Sequence, residues 1–244
     1  MDWQDQGYIL SVKKHGETSA IIEVFTPEHG RHLGLVRGGV GRRLRPVLQA
    51  GNRVHLEWRA RLSEHLGYFT IEPSSLNTAR LMDNRLALAG LNALCAVARE
   101  TLPEREAFPP VYNAFEIVLQ NMHDPEIWPA LYIRWEAGLL KAMGYGLDFS
   151  SCAATGSMEN LTHVSPRSGR AVSAQAAQPY IDKLLPLPGF LHGMKVPITP
   201  DDLSAGLSLT GYFLETRIHW GVNKTMPEAR NYMVSALRKA GFLS

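Results

Sequence analysis

The first 76 residues are punctuated too often to hold a long helix, and this limits the fold more than any other feature. Five short runs rich in Val, Ile, Leu and aromatic residues occupy 7–12, 20–25, 32–36, 54–58 and 68–71. Turn-forming residues separate them: Lys-Lys-His-Gly at 13–16, Thr-Pro-Glu-His-Gly at 26–30, a glycine-rich stretch after Val36, and Glu-His-Leu-Gly at 64–67. Within the fourth run Val54, Leu56 and Trp58 alternate with His55, Glu57 and Arg59, the period of a strand buried on one side. Five short strands in so few residues suit a small closed barrel, the OB-fold being the familiar five-stranded solution.

The third run leads into a basic segment, GRHLGLVRGGVGRRLRP at 30–46. Between Arg31 and Arg61 eight arginines face a single acid, Glu57. Glycines at 38, 39 and 41 free the backbone, so the segment is expected to be a flexible cationic loop. Arginine binds phosphate oxygens in pairs and stacks on bases, and an OB barrel binds single strands in an electropositive groove. The candidate DNA contacts are therefore Lys13, Lys14, Arg31, Arg37, Arg42, Arg43, Arg45, Arg53 and Arg59. Trp3, Tyr8, Trp58, Tyr68 and Phe69 are the barrel aromatics from which one or two are expected to reach DNA. The alternative is an adaptor whose arginines meet an acidic protein surface.

Beyond Pro73-Ser74-Ser75 the period changes to that of helices. Apolar residues at helical spacing run from 81 to 102, and further helices are expected at 111–122 and 127–143. Thr199-Pro200-Asp201-Asp202 reads as a cap opening a helix to about Trp220, and Met226-Pro227-Glu228 opens a last one closed by Gly241. Trp135, Tyr212, Phe213 and Trp220 fall on apolar helix faces and read as core. The stretch 144–177 is long for a structureless loop and should hold a local fold. The class is α+β: an OB-fold domain at 1–78 and a mainly helical domain at 79–244.

A net charge of +2 is too mild to argue for nucleic acid alone, so the local arginine field carries that reading. Two cysteines, Cys95 and Cys152, form no disulfide framework. The N-terminus lacks the basic start and apolar core of a signal peptide, and no run approaches the roughly 18 apolar residues of a membrane span. A cytoplasmic protein without a membrane is expected. His15, Glu17, Thr18 and Ser19 read as turn chemistry, with Glu17 alternatively holding a loop arginine, and Asp201-Asp202 as a helix start. There is no phosphate loop, no paired-histidine motif and no nucleophile–base set, so no catalytic residue and no cofactor is assigned.

Several segments together resemble one family. Gly7-Tyr8-Ile9-Leu10, His15-Gly16-Glu17-Thr18-Ser19, Phe25-Thr26-Pro27-Glu28-His29-Gly30 and Leu35-Val36-Arg37-Gly38-Gly39 are similar to the N-terminal barrel of RecO, a family of bacterial recombination mediators. Trp135-Glu136-Ala137-Gly138-Leu139-Leu140, Gly144-Tyr145-Gly146-Leu147-Asp148 and Ser165-Pro166-Arg167-Ser168-Gly169 follow in family order. The resemblance implies an OB-fold joined to a helical domain with a zinc-binding insertion. It implies binding to single- and double-stranded DNA, annealing of complementary strands, and action with RecR on strands covered by SSB to help RecA load. It also implies a receptor for the acidic, aromatic-containing C-terminal tail of SSB. Arg134 and Lys141 are the candidate cations for that tail, on a helix lined by Leu131, Trp135, Leu139 and Leu140.

One part departs from the pattern. Zinc-binding members use two Cys-x-x-Cys pairs, but here Cys152-Ala153-Ala154-Thr155 keeps one thiol and the second pair maps near Ser173 and Ala176. The insertion at 144–177 is therefore expected to be a degenerate, zinc-finger-like loop held by hydrogen bonds, with no metal; His163 is the nearest other donor.

Overall fold

The computed structural model describes residues 1–194, 196–219 and 225–244. It divides into two units, one of residues 1–125 with 227–232 and one of 126–226 with 233–244.

The first unit is built on β1 (Asp2–His15), β2 (Ser19–Thr26), β3 (Gly30–Val36), β4 (Arg53–Arg59) and β5 (Tyr68–Ser75), which close into a barrel of order β1-β2-β3-β5-β4. Strand β1 makes closure possible because it serves two partners. Asp2 to Tyr8 pair with β4, and Tyr8 to His15 pair with β2, with a bulge between Ile9 and Ser11 turning the strand from one to the other. The remaining seam is parallel and short, Leu35 opposite Tyr68, with the Leu35 amide donating to Gly67 O at 3.1 Å. The alternation expected for β4 holds, since Val54, Leu56 and Trp58 point inward beside Ile9, Ile22 and Phe69. Strand β1 starts five residues before the expected position. Its Asp2–Gln6 segment is polar apart from Trp3, which packs on the core, and backbone pairing with β4 carries the rest.

The helix expected over 81–102 begins at Arg85, and a short separate helix precedes it. Helix α1 (Asn77–Leu81) ends before Asn84, whose extended backbone and side-chain oxygen, accepting from the Leu86 and Ala87 amides, cap a new helix, α2 (Arg85–Thr101). Leu91 of α2 lies against Gly51, where an added Cβ would sit 2.4 Å from the leucine. Helix α3 (Pro109–Gln120) completes this unit, opened by proline at its first turn. The sheet thus ends at Ser75, while the unit around it continues through α3.

In the second unit α4 (Trp128–Ala142) packs on α6 (Pro200–Phe213). Gly206 sets their spacing, because a Cβ there would meet Ile133 at 2.9 Å. The expected cap at Thr199 is present: its hydroxyl accepts from the Asp202 amide, and Asp202 accepts from the Thr199 amide. Beyond Phe213 the chain widens into a π-turn through His219; Trp220, the expected helix end and a core aromatic, lies outside the described residues. A three-stranded sheet, β6 (Leu161–Val164) between β7 (Ala171–Ser173) and β8 (Leu185–Pro186), supplies the local fold expected within 144–177, followed by the single turn α5 (Ala174–Ala177). The last helix, α7 (Glu228–Lys239), precedes Gly241 with φ +83°.

Candidate nucleic-acid interface

The basic segment is an anchored series of turns, which corrects the expectation of a flexible loop. Leu44 and Arg45 amides both donate to Gly41 O, Leu48 donates to Leu44 O, and Val47 and Leu48 are buried in the barrel core. Two apolar plugs hold the loop down while Arg42, Arg43 and Arg45 stand exposed around them. The loop's first turn is tied to the β1–β2 hairpin, since the Val40 amide donates to Thr18 O at 3.2 Å. That hairpin carries the exposed Lys13 and Lys14.

The nine candidate cations fall into two groups. Lys13, Lys14, Arg37, Arg42, Arg43 and Arg45 are exposed and make no ion pair among the described residues. Arg59 is also exposed and, among the described residues, pairs only with its neighbour Glu57 at 2.5 Å, a surface pair of the kind worth about 0–1 kcal/mol. Arg31 and Arg53 are different. Arg31 Nε donates to Leu102 O at 2.7 Å while its other nitrogens meet Glu23 at 2.8 Å and Glu104 at 3.6 Å. Arg53 pairs with Glu116 at 2.9 Å, a carboxylate that also accepts from the Tyr8 hydroxyl. Burial, with this hydrogen bond second, pushes the Tyr8 phenol well above its usual range. Both arginines are committed to fastening helical segments onto the barrel.

Arg37, Arg43 and Arg59 come together along a groove of about 470 Å³ at the β3–β5 seam. Its apolar lining is Val36, Leu44, Phe69 and Ile71, and its wall is Tyr68, over whose ring the Arg37 guanidinium lies at 4.5 Å. Of the barrel aromatics Tyr8, Trp58 and Phe69 are buried and Trp3 stacks on His29; Tyr68 is 47% exposed. A cationic rim over an apolar floor with one open ring matches the chemistry of a single strand: phosphates outside, bases inward.

Arg105 was invisible to sequence reasoning. It donates to the backbone oxygens of Ser63, Glu64 and His65, fixing the β4–β5 loop beside the groove. Nothing local marks an arginine some forty residues away for this task; only the path after α2, where the Arg105 amide donates to Arg31 O, brings it there. Glu17 is exposed and pairs with no arginine among the described residues, so the loop cations are not neutralised from that side.

Comparison with known proteins identifies the family. The family model described as Recombination protein O N terminal matches residues 1–75, and Recombination protein O C terminal matches 82–226. A DNA repair protein RecO from Caulobacter sp. (strain K31) is 47% identical over 243 residues, covering 100% of both chains. One from Methylorubrum extorquens (strain PA1) is 49% identical over 241 residues, 96% of this chain and 98% of the relative. The chain belongs to the RecO family. The matched N-terminal region spans the whole barrel and the arginine loop, which places the groove in the family's N-terminal domain.

The zinc implied for RecO proteins was tested against the donors in the second unit. Cys152 is 1% exposed, and its sulfur accepts from the Ser173 amide at 3.3 Å. Burial pushes this thiol up, but hydrogen bonds from Ser173, Thr155 and the Ala154 backbone outweigh it and bring it down to about 6. Ser173, near a position where a thiol would stand, thus serves Cys152 through its backbone amide, while the Thr155 hydroxyl accepts from the Ser157 amide. His163 Nδ1 lies 2.9 Å from the Thr162 hydroxyl. No group of three His, Cys, Asp or Glu residues exists among the described residues, so the donor set does not fit zinc. No described helix is long and apolar enough to cross a membrane.

Arg134 and Lys141 lie two turns apart on α4, both exposed. Arg134 donates to Phe190 O at 3.2 Å and lies over the Phe190 ring. Trp135, Leu139 and Leu140, expected to line a groove beside them, are at most 1% exposed and belong to the core; only Leu131 is half-buried.

Proposed function

We propose that this protein is a non-enzymatic DNA-binding recombination mediator in DNA repair. It holds the phosphate backbone of single- and double-stranded DNA on the arginine arc, anneals complementary strands and, with RecR, helps RecA load on single strands covered by SSB. The single observation that carries the reading is the set of exposed arginines, Arg37, Arg42, Arg43 and Arg45, which meet no carboxylate among the described residues and of which Arg37 and Arg43 line a barrel groove, while Arg31 and Arg53 are paired. The relatives' printed name, DNA repair protein RecO, supports the biological role. Annealing needs no active site: cations on two strands lower their repulsion, and base pairing stabilises the product. Arg134 and Lys141 remain the proposed cations for the SSB tail, with Leu131 as their apolar neighbour. The region 144–177 is read as a zinc-finger-like insertion in which hydrogen bonds replace the metal.

The test is the salt dependence of oligonucleotide binding. Each lost single-strand phosphate contact flattens the slope of log affinity against log salt by about 0.7, so Arg42→Ala with Arg43→Ala lowers it by roughly 1 to 1.5 for every sequence. Annealing slows in parallel, and the melting temperature hardly moves because both side chains are unpaired. An unchanged slope with intact annealing would assign the arc to an acidic protein partner instead.

A further inference from the structure

We infer that Tyr68 is a stacking platform for an unpaired nucleobase, and that through it the groove prefers single strands. The inference rests on the DNA-binding reading and adds a ligand chemistry to it. Arginines around a polyanion recognise phosphate, which duplex and single strand share. The groove also holds a large exposed ring and an apolar floor, and phosphates use neither. The ring face is usable, because the Arg37 guanidinium, a planar delocalised group, already lies on it at 4.5 Å. A nucleobase is planar and delocalised too. Val36, Leu44 and Ile71 beneath offer it a desolvated edge, and Arg43 and Arg59 stand at the rim for the flanking phosphates. The volume, about 470 Å³, is that of an ordinary ligand cleft, about 300–1,000 Å³.

The platform is also rigid. Gly67, at φ +67°, lies so close to the Trp58 indole that a Cβ would come within 2.4 Å of Nε1. That indole donates to Leu66 O at 3.0 Å, and Arg105 grips the loop before it. The backbone that carries Tyr68 is therefore fixed before any ligand arrives, which lowers the ordering required on binding. When a base takes the ring, Arg37 is displaced and becomes free for the adjoining phosphate. Bases inside a duplex are stacked on each other and present no face, so this contact forms only with single strands.

The experiment compares a short thymidine oligomer with an abasic oligomer of equal length, by fluorescence anisotropy at fixed salt. The full-length protein is expected to prefer the base-bearing strand. Tyr68→Ala weakens that strand roughly 5- to 100-fold and leaves the abasic one within about twofold, erasing the preference without changing the salt slope. Tyr68→Phe keeps the preference, because stacking needs the ring and not the hydroxyl. Tyr68→Leu, which retains the bulk, loses it, and this variant decides the matter if alanine disturbs the barrel. Equal losses on both oligomers, or no loss on either, would overturn the stacking role. Salt-dependent binding without base preference sinks the platform alone, whereas failure to bind either oligomer removes the DNA reading with it.

Discussion

Arg31, near the start of β3, and Arg37, just past its end, carry the same charge and have different tasks. Arg31 meets two carboxylates and a carbonyl with its side chain only 14% exposed, whereas Arg37 meets an aromatic face at the edge of a groove. Whether an arginine is available to a polyanion is decided by the carboxylates that the rest of the chain brings to it. His32, on the strand between them, is 3% exposed and packed edge-on against Trp58 and Trp3, with Nδ1 2.9 Å from Leu33 O. Burial holds its pKa below the ordinary 6.5, so the folded protein keeps it neutral while the unfolded chain accepts a proton. Stability from this histidine is fully present above about pH 6.5 and is lost as pH falls below it. His163, lowered by the same cause, adds to the trend. Melting temperatures measured from about pH 7.5 to 5.5 should fall, and His32→Gln should flatten part of that fall.

At the scale of elements, the barrel depends on places where side chains are missing. Gly34 on β3 faces Phe69, and a Cβ there would sit 2.4 Å from the ring. Gly34→Ala should destabilise the protein by about 1–3 kcal/mol, measured by denaturant unfolding, as Phe69 is forced off its place in the core. An unaltered midpoint would mean that the seam between β3 and β5 yields more readily than its packing implies. The cationic loop follows the same logic in reverse. Its glycines suggest a mobile segment, yet Val47 and Leu48 pin it, because two buried apolar side chains outweigh the freedom of three glycines. Helix boundaries show a similar contest: α1 ends at Leu81, and Asn84 begins a new helix because its side chain satisfies two amides that an uninterrupted helix would have bonded internally.

For the whole molecule, the question of metal separates this chain from zinc-binding relatives. The Cys152 thiol accepts from the Ser173 amide and has no set of further ligands beside it among the described residues, so the donors present do not fit zinc. The purified protein should contain much less than one zinc per chain, and a chelator should leave its melting temperature unchanged. A stoichiometric zinc lost together with stability would reverse that conclusion.

The strand period, the turn residues and the charge run were legible in the amino-acid order because each is a local signal. Alternation at Val54, Leu56 and Trp58, the Thr199 cap and the arginine cluster are all contained within a few neighbouring residues. The five-stranded barrel and the helical remainder follow from them. Tertiary structure alone decided which cations are free, since Glu23 and Glu116, which occupy Arg31 and Arg53, lie eight and sixty-three positions from their partners. It decided too that Tyr68 is half exposed while Trp58 and Phe69 are buried, although all three stand on two adjoining strands. Burial and ion pairing are properties of what surrounds a residue, and in a closed barrel the surroundings come mostly from chain that is distant in sequence.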